Sequence, residues 1–314
     1  MTRSRLAPGT GIVTVPGATP VLRTSGGEFL RIDTGGVPGE SLVRRLAGEE
    51  TPDEGPQTAE LARLVEAFEA GGHTVSAPPR APLVGRTVHV LGDPVLTGPL
   101  ARCAEAEGAE VLRITPDHVA ELVRAAPDHR TEGRVAVVWC LDSPVPEGLW
   151  DTADRLPGRC IAWLRCHREG SHSWTEPLAA APGDVSSRHV RLRRLAATPA
   201  HRELAAYWAG HRTADTGPHP TEASAALIAA LLTADLIAWA GVAGGAEAEG
   251  AGAGSSARLP ARRRLRRIDL RDLTFTEHPV LPVPDVAPLP APTPVGARAA
   301  GAGTAGGRAA GARP

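Results

Sequence analysis

Two stretches of the chain carry residue types at spacings that chemistry could use. The first is the turn Gly92-Asp93-Pro94-Val95-Leu96-Thr97-Gly98, which follows the apolar run Thr87-Val88-His89-Val90-Leu91. The turn after the first strand of an α/β sheet is where a nucleotide phosphate rests. The dinucleotide fingerprint G-x-G-x-x-G needs its middle glycine so that backbone can approach the pyrophosphate. Pro94 holds that position here, with added bulk and no N–H, and Asp93 brings a carboxylate to the place of the phosphate. The turn therefore reads as a structural strand-to-helix connection. The second stretch holds Cys160, Cys166, His167 and His172. Two thiols and two imidazoles can bind zinc. The spacing C-x5-C-H-x4-H fits no closed site, because adjacent Cys166 and His167 on a strand point to opposite faces.

Absences narrow the chemistry further. The chain has no lysine and no asparagine, and its one glutamine is Gln57. A lysine Schiff base and a P-loop lysine are both excluded. No catalytic residue, cofactor or metal is expected from these motifs. Trp139, Trp150, Trp163, Trp174, Trp208 and Trp239 hold most of the aromatic area and are expected mainly in the core. The basic groups Arg188, Arg191, Arg193, Arg194 and 262–267 read as solvated faces or as surfaces that meet an acidic peptide or partner.

The elements that would position these residues fall into two groups. Residues 9–33 alternate short apolar runs with glycine-containing turns: Ile12–Val15, Pro20–Thr24 and Glu28–Asp33. This pattern predicts three short antiparallel strands. Helices are expected over Glu40–Leu46, with Gly48 as C-cap, and over Thr58–Ala70, with Leu61, Leu64, Val65 and Phe68 on one face. Three strands with helices in about 75 residues give a winged-helix outline. From Val84 the order is strand, Val95–Glu107 helix, Glu110–Ile114 strand, Arg134–Leu141 strand, Glu147–Leu156 helix and Cys160–Leu164 strand. That alternation predicts a Rossmann-like parallel sheet with helices on its faces. Helical patterns follow at Ser187–Leu195, Ala200–Trp208 and Glu222–Trp239, and one late strand is expected within Arg262–Phe275. The fold class is thus α/β, a winged-helix-like α+β module (1–76), a linker (77–82) and a Rossmann-like domain (83–285). A Gly/Ala-rich insertion (241–259) and a disordered tail (286–314) complete the layout.

At 314 residues with net charge −1, the chain has no global pull toward nucleic acid. No run of about 18 uncharged apolar residues appears, so no membrane association is expected. The four cysteines form no C-x-x-C pair, and Met1–Pro8 lacks an apolar core, which points to a cytoplasmic chain without a signal peptide.

The second domain resembles the ubiquitin-activating-enzyme-like "ocin-ThiF" proteins of thiazole/oxazole-modified peptide clusters. The resemblance rests on strand-Gly92-helix, on Arg134–Asp142, on Glu176-Pro177-Leu178-Ala179-Ala180-Ala181-Pro182-Gly183 and on the Arg-rich helix after it. The N-terminal module resembles the PqqD-like RiPP recognition element through Leu42-Val43-Arg44-Arg45-Leu46-Ala47-Gly48-Glu49-Glu50-Thr51. The resemblance implies a non-catalytic partner that captures the leader of a precursor peptide by β-augmentation. It would present the precursor to a separate ATP-dependent YcaO-type cyclodehydratase, with a homodimer among the admissible assemblies. The implied peptide-binding residues are Phe29, Leu30, Arg31 and Ile32 on the third strand and Leu61, Arg63, Leu64, Val65 and Phe68 on the helix. Strand alternation makes about half of the apolar ones plain core. The cysteine pairs that the family places after Pro-Gly and after a late His-Pro are missing after Pro182-Gly183 and His278-Pro279, so the resemblance implies no structural zinc here. Two rival functions are a divergent nucleotide-binding enzyme and a DNA-binding winged helix. The second would use Ala59–Ala70, where Glu60, Glu66 and Glu69 would face phosphate.

Overall fold

A computed structural model describes residues 4–15, 17–47, 58–75, 81–125, 133–214, 217–243 and 259–284. Residues 1–282 form one compact unit and 283–314 a second. The description below concerns the first. The segments 48–57 and 76–80, nearly all of the 241–259 insertion and the tail 286–314 lie outside the described residues, and with them the C-cap at Gly48.

The N-terminal strands are short. β1 (Arg5–Leu6) pairs antiparallel with β5 (Thr74–Val75), and β2 (Gly11–Val13), β3 (Val21–Arg23) and β4 (Phe29–Arg31) form a meander in that order. Helices α1 (Gly39–Ala47) and α2 (Thr58–Ala70) complete this part. Leu22, Ile32, Leu42, Leu46 and Phe68 make its core, flanked by half-buried Leu61, Leu64 and Val65. The 3.6-residue period of α2 thus shows which face of that helix packs.

The main sheet has seven strands in the order β12-β11-β10-β9-β8-β6-β7. β6 (Thr87–Gly92), β7 (Glu110–Arg113), β8 (Val135–Leu141) and β9 (Ala162–Glu169) are parallel. The apolar runs of β6, β8 and β9 are buried on both faces, as crossover helices require, while the edge strand β7 is largely exposed. α3 (Pro94–Ala106) and α7 (Glu222–Ala243) pack against each other and join one core with β6 and β8. α4 (Pro116–Arg124), not anticipated from the sequence, starts at Thr115, whose hydroxyl accepts from the His118 N–H, with Pro116 at the first helical position.

The sheet departs from the parallel expectation in its second half. β9 runs five residues past Leu164, and β10 (His172–Thr175), β11 (Arg264–Asp269) and β12 (Phe275–Pro279) are all antiparallel additions. The single late strand is a hairpin. The expected helix over 147–156 is instead turns followed by a 3-10 stretch, Ala153–Arg159. Pro157 has no N–H for helical continuation, and Pro146 and Gly148 disfavour an earlier start.

Charge pairing explains how β9 continues through arginine and histidine. Arg165 donates to Glu176 at 2.6 Å and to the Val185 carbonyl at 2.8 Å. Arg168 pairs with Asp142. Glu169 accepts two hydrogen bonds from Arg194 (3.0 and 2.6 Å), one from Trp208 Nε1 (2.7 Å) and one from His167 Nε2 (3.2 Å). These bonds fasten α5 (Ser187–Ala196) and α6 (His201–Trp208) to the sheet. α5 is itself capped reciprocally by Ser186 and His189.

Burial alone would raise the Glu169 carboxyl, but the hydrogen bonds from His167 and Arg194 outweigh it and hold the group well below the usual carboxylate range. A carboxyl depressed on folding contributes stability that is present above its unfolded value, about 4.3, and lost as pH falls below it. Glu169→Gln is expected to cost about 2–3 kcal/mol at pH 7. It should cost progressively less below about pH 4. Urea midpoints of both proteins across that range check this, and parallel pH profiles would contradict it.

α7 carries the one stretch among the described residues, Glu222–Gly241, that is long and apolar enough to cross a membrane by length and composition. More than half of its most apolar window is buried inside the fold. The helix also holds Asp235, which is bonded to Arg264 and Arg266 of β11.

Candidate peptide-binding edge

Strand β4 is the outer strand of the N-terminal meander, and no strand among the described residues pairs with its other side. Thr24 N–H donates to the Glu28 carbonyl and Ile32 N–H to the Pro20 carbonyl. Since Leu22 is in register with Leu30, antiparallel alternation turns the backbone groups of Glu28, Leu30 and Ile32 toward β3. The N–H and C=O of Phe29 and Arg31 therefore face the open edge. An unpaired row of backbone groups is a template for another strand.

Side chains alternate the other way. Ile32, 8% exposed, belongs to the core, and Leu30 at the rim of that face is 43% exposed. Phe29, 62% exposed, and Arg31 occupy the opposite face. On the helix, Phe68 is core, while Leu61, Leu64 and Val65 are half-buried beside it and Arg63 is exposed. A cleft of about 200 Å³ runs between the end of β4 and α2, lined by Asp33, Thr34, Gly35, Glu60, Arg63 and Leu64. Asp33 accepts from the Gly35 N–H at 3.1 Å, which shapes its floor.

The residues implied for peptide binding therefore divide. Ile32 and Phe68 are structural. Leu30, Leu61, Leu64 and Val65 offer part of an apolar face, Phe29 and Arg31 offer backbone, and Arg63 lies in the cleft. Asp33 is not among the site residues expected from the sequence, and Glu60 enters there only as a group that would repel nucleic-acid phosphate. Asp33 from the end of β4 and Glu60, one helical turn before Arg63 on α2, line the cleft together with Arg63, so it is of mixed charge rather than purely cationic.

The Rossmann crevice is closed by its own residues. Strand order reverses between β6 and β8, and ligands of such sheets bind beyond the carboxyl ends of the strands at that point. Here Gly92 has φ +109°, and an added Cβ would lie 1.9 Å from the Cys140 carbonyl oxygen. Asp93 N–H donates to that same oxygen at 2.9 Å, and the Asp93 carboxylate accepts from the Asp142 N–H at 2.6 Å. The N–H groups of Leu96 and Thr97 are both taken by the Asp93 carbonyl, and Pro94 has none. α3 thus presents few free donors to a phosphate. Asp142 is in turn occupied by Arg168 and by His219 at 2.9 Å. The residues present do not fit a nucleotide phosphate at this turn.

The Cys/His group is likewise dispersed. Cys166 meets Ser173 Oγ at 3.2 Å, while His167 bonds Glu169 on the other face and His172 bonds Arg267 at 2.9 Å. Cys166 is in register with Cys140 on β8, and that thiol is pushed up by its hydrogen bond to Cys166 and by burial. Five of the six tryptophans are buried, and Trp174 is half-buried with the Arg194 guanidinium 4.0 Å from its ring centre.

No protein-family model matches the chain, and no curated protein matches it in sequence. Solved structures do share its fold. A heterocyclase in complex with substrate and cofactor matches 89% of this chain at TM-score 0.65 and 12% identity. The heterocyclase TruD matches 90% at TM-score 0.60 and 14% identity. The match spans 38% and 42% of those two chains, about two fifths of their length. E. coli MccB with ATP matches at TM-score 0.50 and 10% identity, over 90% of this chain and 98% of that one.

Proposed function

We propose that this chain is a leader-peptide-binding scaffold of a thiazole/oxazole-forming RiPP biosynthetic complex. Residues 1–76 serve as a winged-helix-like recognition module, and the Rossmann-like part serves as a partner surface without nucleotide chemistry of its own. The open edge of β4 beside α2 carries this reading. It offers the outward backbone of Phe29 and Arg31 for hydrogen bonds, and the exposed Leu30 with the half-buried Leu61, Leu64 and Val65 for side-chain selection. Its setting on a fold shared with two heterocyclases supports the pathway. Because the match covers about two fifths of those chains, ring formation is assigned to a separate YcaO-type cyclodehydratase segment or subunit.

The test is fluorescence anisotropy with a labelled leader peptide from a precursor encoded beside this chain. Arg31→Pro removes one outward N–H at an edge position, where proline is tolerated. It is expected to weaken leader binding by about ten-fold or more while leaving the urea midpoint nearly unchanged. Leu30→Asp should weaken binding at least as much by placing a charge on the apolar rim. Leader binding that is absent in the unmodified chain, or unaffected by both variants, would remove the leader-capture reading.

A further inference from the structure

A second cleft, of about 340 Å³, opens between the loop Val145–Asp151 and helices α5 and α6. Its volume lies within the range of small-ligand sites, about 300–1,000 Å³. Trp150 and Trp208 contribute aromatic surface, and Leu192 and Leu195 line the α5 side. A narrow extension shares Val145, Trp150, Arg191 and Trp208 with it and reaches His167 and the carboxylates Glu169 and Glu176.

Three donors on residues that line this cleft are under-used. Trp150 is 3% exposed, and its buried indole N–H has no hydrogen-bond partner. A buried tryptophan N–H ordinarily finds an acceptor. Arg191 gives one N–H to the Val145 carbonyl at 2.9 Å and lies 5.4 Å from the Trp208 ring centre, with no carboxylate partner among the described residues. Arg188, one turn earlier and exposed, has no hydrogen bond or ion pair among them. Glu147 and Asp151 also line the cleft, and both are exposed. They disfavour a polyanion such as a nucleic acid or a polyphosphate. The half-buried guanidinium and the buried indole favour a single acceptor in the main cleft, on the side lined by Leu192 and Leu195.

We propose that this cleft binds a peptide segment presenting one carboxylate next to an aliphatic side chain. The carboxylate takes the Arg191 and Trp150 donors with Arg188 at the entrance, and the aliphatic group rests on Leu192 and Leu195. An internal acidic side chain and a peptide C-terminus share this chemistry. The site is separate from the β4 edge and does not depend on leader capture.

Calorimetric titration of the full chain tests it with three probes: N-acetyl-Leu-Glu-Leu-amide, N-acetyl-Leu-Leu with a free C-terminal carboxylate, and uncharged N-acetyl-Leu-Gln-Leu-amide. At least one carboxylate probe is expected to saturate, and the one that does identifies the source. The glutamine probe should bind at least about five-fold more weakly, and Arg188→Glu should weaken the carboxylate probe by about five-fold. Trp150→Phe, which keeps a ring and removes the donor, should weaken it too, while Leu30→Asp on the β4 edge should leave it unchanged. No saturation by either carboxylate probe up to roughly 5 mM would overturn the proposal. So would equal binding of the glutamine probe, indifference to Arg188→Glu, or loss of binding in Leu30→Asp.

Discussion

Replacing Gly92 with alanine is expected to destabilise the fold by about 4 kcal/mol, the sum of a strained backbone and an overpacked contact. The backbone at Gly92 has φ +109°, which L side chains rarely adopt, and the new Cβ would meet the Cys140 carbonyl at 1.9 Å. That carbonyl belongs to neighbouring β8 and also accepts the Asp93 N–H, so it cannot simply move aside. Gly98 makes the contrast. It sits inside α3, and a Cβ there meets nothing nearer than an Arg102 side-chain nitrogen at 3.8 Å. Gly98→Ala should therefore change stability by less than about 1 kcal/mol, because the gain in helix propensity is opposed by crowding of the new methyl against the ring of Pro99. Urea unfolding of both variants checks the pair. A Gly92→Ala protein as stable as the parent would mean that the glycine serves something other than strand-to-strand packing.

The second large effect is expected at Asp235. This carboxylate is 2% exposed on the apolar helix α7 and faces Arg264 and Arg266, 3% and 0% exposed. Arg266 donates to it at 2.5 and 3.0 Å, and Arg264 pairs with it as well. Glu277 reaches Arg266 at 3.0 Å but is partly exposed and serves both arginines. Two Arg264 nitrogens already lack hydrogen-bond partners. Asp235→Ala would leave two buried guanidinium groups with one peripheral carboxylate, a loss expected to cost about 3–5 kcal/mol. The triple replacement Asp235→Leu, Arg264→Met, Arg266→Met should recover most of that stability, since apolar residues of similar volume can replace a buried ion cluster. Failure of Asp235→Ala to lower the urea midpoint would show that Glu277 alone compensates both cations.

How much of this was legible in sequence follows from the range of each interaction. The parallel strands β6, β8 and the start of β9 are continuous apolar runs, and buried strands must be so. The α2 stripe of Leu61, Leu64, Val65 and Phe68 was equally readable, because a single helix repeats its period locally. The antiparallel half was not. The end of β9 carries Arg165, His167 and Arg168, and β11 carries Arg264 and Arg266, all of which look like surface until their partners Glu176, Glu169, Asp142 and Asp235 are seen. Arg168, Arg264 and Arg266 each find their carboxylate, Asp142 or Asp235, more than 20 residues away in sequence. The helix expected at 147–156 failed for a local reason, the proline and glycine positions that interrupt its backbone bonds.

Sequence alone determined that the glycine turn is a poor phosphate loop, since Pro94 and Asp93 are wrong there in any fold, and that no lysine chemistry is available. It also placed Phe29–Ile32 on a strand and Leu61–Phe68 on a helix. Only the tertiary structure decided which of those residues are exposed and which are core, because that depends on β4 ending its sheet and on which face α2 covers. It likewise decided that Asp93 is bonded to Asp142 and that Trp150 lines a cleft with its N–H unmatched. Local spacing sets backbone periodicity and intrinsic chemistry. Burial, pairing and open edges arise from distant segments, and only packing brings those together.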